Sequence, residues 1–164
     1  MLLTEIASIS DWTELENKIR NKTGLEVSVF DTNGMRITDN KIWNNKLCPK
    51  IKSIDAGQTH ICAVAHNNIA AMAAKSGKNI VEECDAGIIK AVTPIFKENV
   101  FIGTVGGCGK MLDDGEIEVE YICRTIQCDE QEIEDLGKSV KIMTEAAAAE
   151  AVKYMADEVE KILK

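Results

Sequence analysis

The stretch NIVEECDAGIIKAVTPIFKENVFIGTVGGCGK, residues 79–110, decides the fold. "NIVEEC" reads as a short strand, "IIKAVTPIF" as a second and "VFIGTVGG" as a third. "KEN" is the turn of a hairpin between the last two. If the three form a meander, the first and third strands are parallel. Their C-terminal ends, at Cys84 and Cys108, then share one edge of the sheet with the middle strand between them. Two strand spacings, roughly 9–10 Å, separate them. That is too far for a disulfide, whose Cα atoms must come within about 7 Å. It suits two ligands reaching toward a shared metal centre, and a multinuclear cluster bridges the gap more easily than one zinc ion. Glycines on both sides of Cys108 let the backbone approach a bulky inorganic group.

Upstream, "SDWTELENKIRNKTG" has Ser10 as an N-cap candidate, Trp12, Leu15 and Ile19 at helical spacing, and Gly24 as a stop. "LEVSVFDTNGMRIT" alternates through Leu25, Val27 and Val29, turns at Asn33-Gly34 and returns over Met35 to Thr38 as a second strand. Residues 39–53 read as irregular, with Pro49 directly after Cys48. Residues 54–76 read as a helix ended by Gly77.

From Asp113 the pattern is helical. Ile133, Leu136, Val140 and Met143 form one apolar series, and Val152, Met155, Val159 and Ile162 another, with a break near Thr144. The order helix, two strands, helix, three strands, helices predicts an α+β, PAS/GAF-like domain. Its plan is a five-stranded antiparallel sheet with helices on one face and a pocket between them. Residues 1–128 form that sensory domain on this reading. Residues 129–164 are a C-terminal helical extension for packing or dimerisation.

Composition sets bounds. The 164 residues carry 27 acids against 19 bases, net charge −8, so direct nucleic-acid binding is not expected. "MLLTEIASISDW" lacks a basic, long-apolar leader, and the Ala-rich stretch near the C-terminus carries Glu145, Glu150 and Lys153. A cytoplasmic protein without a membrane span is expected. Structural disulfides are rare in that compartment, so the six cysteines call for burial or metal as their explanation.

Cys48, Cys62, Cys84 and Cys108 are separated by 14, 22 and 24 positions, with no CxxC. Taken singly, each reads first as a small buried hydrophobe. Cys62 has His66 one turn later on the same helix face, a pair able to bind one metal or to sit as core and surface residues. Cys123 and Cys128 are about 140° apart on an ideal helix and read as packing residues. No nucleophile motif, P-loop or dinucleotide fingerprint is present, and no acid/base pair supports catalysis.

The ordered set Cys48-Pro49, "GQTHICAVAH", "GKNIVEECDAG" and "AVTPIFKENVFIGTVGG", after the hairpin "TGLEVSVFDTNGMRIT", resembles the PocR-type sensory domain, a PAS-related signalling module. The resemblance implies a small-molecule input domain that serves a partner signalling or regulatory protein. It puts Cys48, Cys62 and Cys84 on the family's recurrent cysteine positions. His66 stands where an acid is usual, Asp85 where a histidine is common, and Cys108 where cysteine is unusual. The fourth thiol points to a Cys-ligated centre, an iron–sulfur cluster of the [4Fe–4S] type, with zinc as the alternative. His66 is a possible further ligand or pocket residue. The competing expectation is a metal-free site for a small organic molecule. The expected protein is a stand-alone sensor rather than an enzyme, with homodimerisation through the C-terminal helices.

Overall fold

The computed structural model describes residues 1–164. A short α1 (Leu3–Ile6) leads into α2 (Ile9–Thr23). The cap of α2 is Ser8, not Ser10: its hydroxyl accepts from the Asp11 N–H and the Asp11 carboxylate answers the Ser8 N–H. Gly24 closes the helix with φ 71°. Strand β1 (Glu26–Phe30) follows.

The return over Met35–Thr38 does not become a strand. Only one bridge, Phe30 to Arg36, survives. The reason is Glu16, a fully buried carboxylate on α2. It accepts hydrogen bonds from the Val29 N–H, the Thr38 hydroxyl and the Asn40 amide, which draws the chain off the sheet edge.

The segment 39–53 is more ordered than its composition predicts. Helix α3 (Leu47–Lys52) places Pro49 in its first turn, where a missing N–H costs nothing. The expected helix over 54–76 forms in three pieces: α4 (Asp55–Gly57), a π-helical stretch (Gln58–Ala63) and α5 (Val64–Ser76), closed by Gly77.

The meander forms as read. Strands β2 (Ile80–Glu83), β3 (Ile89–Lys97) and β4 (Val100–Cys108) pair antiparallel in turn, and β1 adds to β4, giving the order β1-β4-β3-β2. The main sheet therefore has four strands, not five. A separate parallel pair joins β5 (Met111–Leu112) to a later β6 (Ile142–Met143).

Helices α6 (Val119–Ile126), α7 (Glu130–Gly137) and α8 (Glu145–Ile162) complete the chain. Thr144 caps α8 through its hydroxyl, so the expected break is real. Val140 and Met143 lie outside helix.

Helices cover both faces of the sheet rather than one. Val27, Val29, Ala91, Ile95 and Val105 face α2 and α8, and pack with Trp12, Ile19, Val152, Met155 and Val159. The opposite face carries Glu26, Phe30, Lys90, Val92, Gly106 and Cys108; α5 covers part of it through Ile69 and Ala73 against Val92. Val152, Met155 and Val159 of the α8 apolar stripe are thus buried in the chain's own core. No helix is long and apolar enough to cross a membrane.

Candidate functional site

The face opposite α2 and α8 bounds a cavity of about 390 Å³, roofed by α3, the π-helical stretch and the start of α5. Its position follows from the sequence. Strand alternation sends Glu26, Cys108 and Lys90, which are register partners across β1, β4 and β3, to the same side.

Cys48, Cys62, Cys84 and Cys108 all line this cavity. Four separate elements supply them: α3, the π-helical stretch, the turn after β2 and the end of β4. Cys48 lies on α3 rather than in a loop. The parallel placement of β2 and β4 on either side of β3 puts Cys84 and Cys108 at one sheet edge, as the meander implied.

The four thiols influence one another electrostatically. Burial pushes the Cys48 thiol well above its usual range, and Cys108, Glu26 and Cys84 add to the effect. Burial also raises Cys62, against the opposing pull of Lys52, and raises Cys84 to about 11. The Cys48, Cys62 and Cys84 thiols are protonated at neutral pH, so a metal would have to displace their protons.

The Cys84 N–H donates to the Ile88 carbonyl and the Gly87 N–H to the Cys84 carbonyl, which fixes the turn after β2. Gly87 makes that turn at φ 84°, and a side chain there would collide with the Glu116 carbonyl. Asn45 directs its amide toward Cys48 Sγ at 3.4 Å, while also donating to the Gly109 carbonyl at 2.9 Å. Its Oδ1 accepts from the Cys48 N–H at 2.8 Å.

The cavity is cationic although the chain is acidic. Arg36, Lys41, Lys52 and Lys90 line it against one carboxylate, Glu26. Lys41 pairs with Glu26 at 3.4 Å. Burial nevertheless raises the Glu26 carboxyl, Lys41 opposing. Burial lowers Lys52, and Lys41 lowers it further.

Two aromatic rings organise these charges. Lys41 and Lys52 stand over Trp43; Arg36 and Lys90 stand over Phe30. His66 stacks on Phe30 and is buried, not on the surface. It shares the cavity with Cys62.

No group of three His, Cys, Asp or Glu side chains is arranged to hold a single metal ion.

Sequence reasoning missed Phe30, Arg36 and Trp43 as site residues. Lys90, on a strand beside apolar residues, points away from the main core and into the cavity.

Cys123 and Cys128 meet, contrary to expectation. Gln127 ends α6 at φ 54° and turns the chain back, bringing the two sulfurs to 3.6 Å. Helical geometry past Ile126 was the wrong premise.

Residues 5–164 match the family model described as the sensory domain found in PocR. No curated protein and no solved structure matches the chain.

Proposed function

Because the chain belongs to the family of sensory domains found in PocR, we propose that its cavity holds an iron–sulfur cluster on Cys48, Cys62, Cys84 and Cys108, through which it senses redox state or a ligand. One observation carries the reading: four thiols from four separate elements line one cavity. Core cysteines placed only for packing have no reason to converge.

Two features support it further. The Asn45 amide directed at Cys48 Sγ is a donor of the kind that tunes a cluster's potential. Lys41, Lys52 and Lys90 offset the charge that thiolates bring into a buried site. A cluster would supply a reversible one-electron change. The residues around it hold the thiolates, exclude water and set the charge.

A route outward exists in the packing. Gly107, next to Cys108, comes so close to α8 that a side chain there would touch Met155 Sδ at 3.5 Å. A shift of Cys108 along β4 would press on α8, the surface of which a partner protein would read. The role is regulatory rather than catalytic.

Anaerobic reconstitution with iron and sulfide tests the reading. Serine at any of the four positions should lower bound iron and sulfide, whereas Cys123→Ser should not.

The second reading is a metal-free site for an organic molecule. The cavity's apolar walls and its volume, within the range of small-ligand sites, favour it. On that reading, Cys84→Ser and Cys108→Ser leave ligand binding intact.

A further inference from the structure

The cavity has two aromatic platforms. Trp43 carries Lys41 and Lys52. At the other, Phe30 forms a floor flanked by Arg36, Lys90 and His66, with Met35 and Ala65 as apolar walls. Arg36 and Lys90 take part in none of the chain's ion pairs. Their charged groups stand 5.9 and 5.5 Å from the Phe30 centroid.

His66 is 6% exposed, and neither Nδ1 nor Nε2 has a protein hydrogen-bond partner; Arg36 Nε is orphaned in the same way. Buried polar groups are nearly always paired, so three orphaned nitrogens in one cavity need an explanation.

We infer that the Phe30 platform is a subsite for a small organic carboxylate, with Arg36 and Lys90 meeting the carboxylate and His66 bonding a further oxygen of the ligand. Arg36 presents a planar fork that matches a carboxylate, and Lys90 adds a point charge. The neutral imidazole can both donate and accept, which suits a hydroxyl or a second oxygen. The aromatic floor and the Met35 and Ala65 walls suit a carbon skeleton, which inorganic phosphate lacks. The inference rests on reading this cavity as the sensor's ligand site, and it names the class of ligand.

Calorimetric titration and thermal shift test it with acetate, butyrate and succinate. Butyramide serves as the neutral isostere and inorganic phosphate as the bare anion. Both metal-free and iron-reconstituted protein are used, with iron measured separately. At least one carboxylate should bind and raise Tm, with butyramide and phosphate tenfold weaker or worse. Arg36→Gln and Lys90→Met should each weaken binding tenfold or more. His66→Phe, which keeps the stack on Phe30, should weaken it several-fold while circular dichroism stays native.

The inference is overturned if no carboxylate binds at millimolar concentration, if butyramide binds as well as butyrate, or if folded Arg36→Gln protein binds undiminished. Carboxylate binding without iron uptake would sink the cluster alone. Iron uptake without carboxylate binding would sink the subsite alone.

Discussion

His66 lies on Phe30 with ring centroids 3.9 Å apart and planes inclined by 38°, inside a cavity that also receives four thiols. Burial, with Lys90, Lys52 and Arg36 nearby, pushes the imidazole down to about 3. The native ring therefore stays neutral where the unfolded one, near 6.5, takes up a proton. That contribution to stability is fully present above pH 6.5 and is lost as pH falls toward 3, on the order of a few kcal/mol. Urea unfolding at pH 7 and pH 4.5 should show a larger loss in the wild type than in His66→Phe. Equal losses would contradict the buried neutral ring.

Asn45 ties Cys48 to the end of β4. Its amide donates to the Gly109 carbonyl and its Oδ1 accepts from the Cys48 N–H. Asn45→Ala should cost about 1–3 kcal/mol by leaving those groups unpaired. It should also reduce iron retention after reconstitution. Unchanged stability in denaturant would remove Asn45 from the account.

Gly87 turns the chain after Cys84 in a left-handed conformation against the Glu116 carbonyl. Gly87→Ala meets both strain and collision, and should destabilise by about 1–3 kcal/mol. Because the turn aims Cys84, iron binding should fall as well. A variant with wild-type Tm and wild-type iron content would show that the turn tolerates a side chain.

The paired sulfurs of Cys123 and Cys128 should form a disulfide with diamide, whose azo group takes up the two thiol hydrogens as the S–S bond forms. Burial first, then Cys128 and the nearby acids, hold the Cys123 thiol near 11, so the reaction should speed up as pH rises. Peptide mapping should find the 123–128 link. Its absence after treatment at alkaline pH would show that the two sulfurs do not meet in solution.

The meander and its shared sheet edge were legible because alternation, turn residues and strand parity are local signals. They carried Cys84 and Cys108 to the right place. Cys48 lines the cavity from a helix and not from a loop, because a first helical turn accepts the Pro49 that makes the segment read as irregular. The fifth strand failed because Glu16, far away in sequence, captures Thr38 and Asn40. Arg36 was hidden for a related reason. Residues facing away from a core look solvent-facing in sequence, and only α3, the π-helical stretch and α5, folded over that side, reveal a second interior.

Iron and sulfide analysis of anaerobically reconstituted wild type beside the four serine variants tests the central claim most directly. The wild type should hold about four irons and four sulfides per chain with a broad visible absorption. Cys48→Ser, Cys62→Ser, Cys84→Ser and Cys108→Ser should each lose most of both. A wild type that stays colourless and free of iron, or four variants that load as it does, would contradict the cluster.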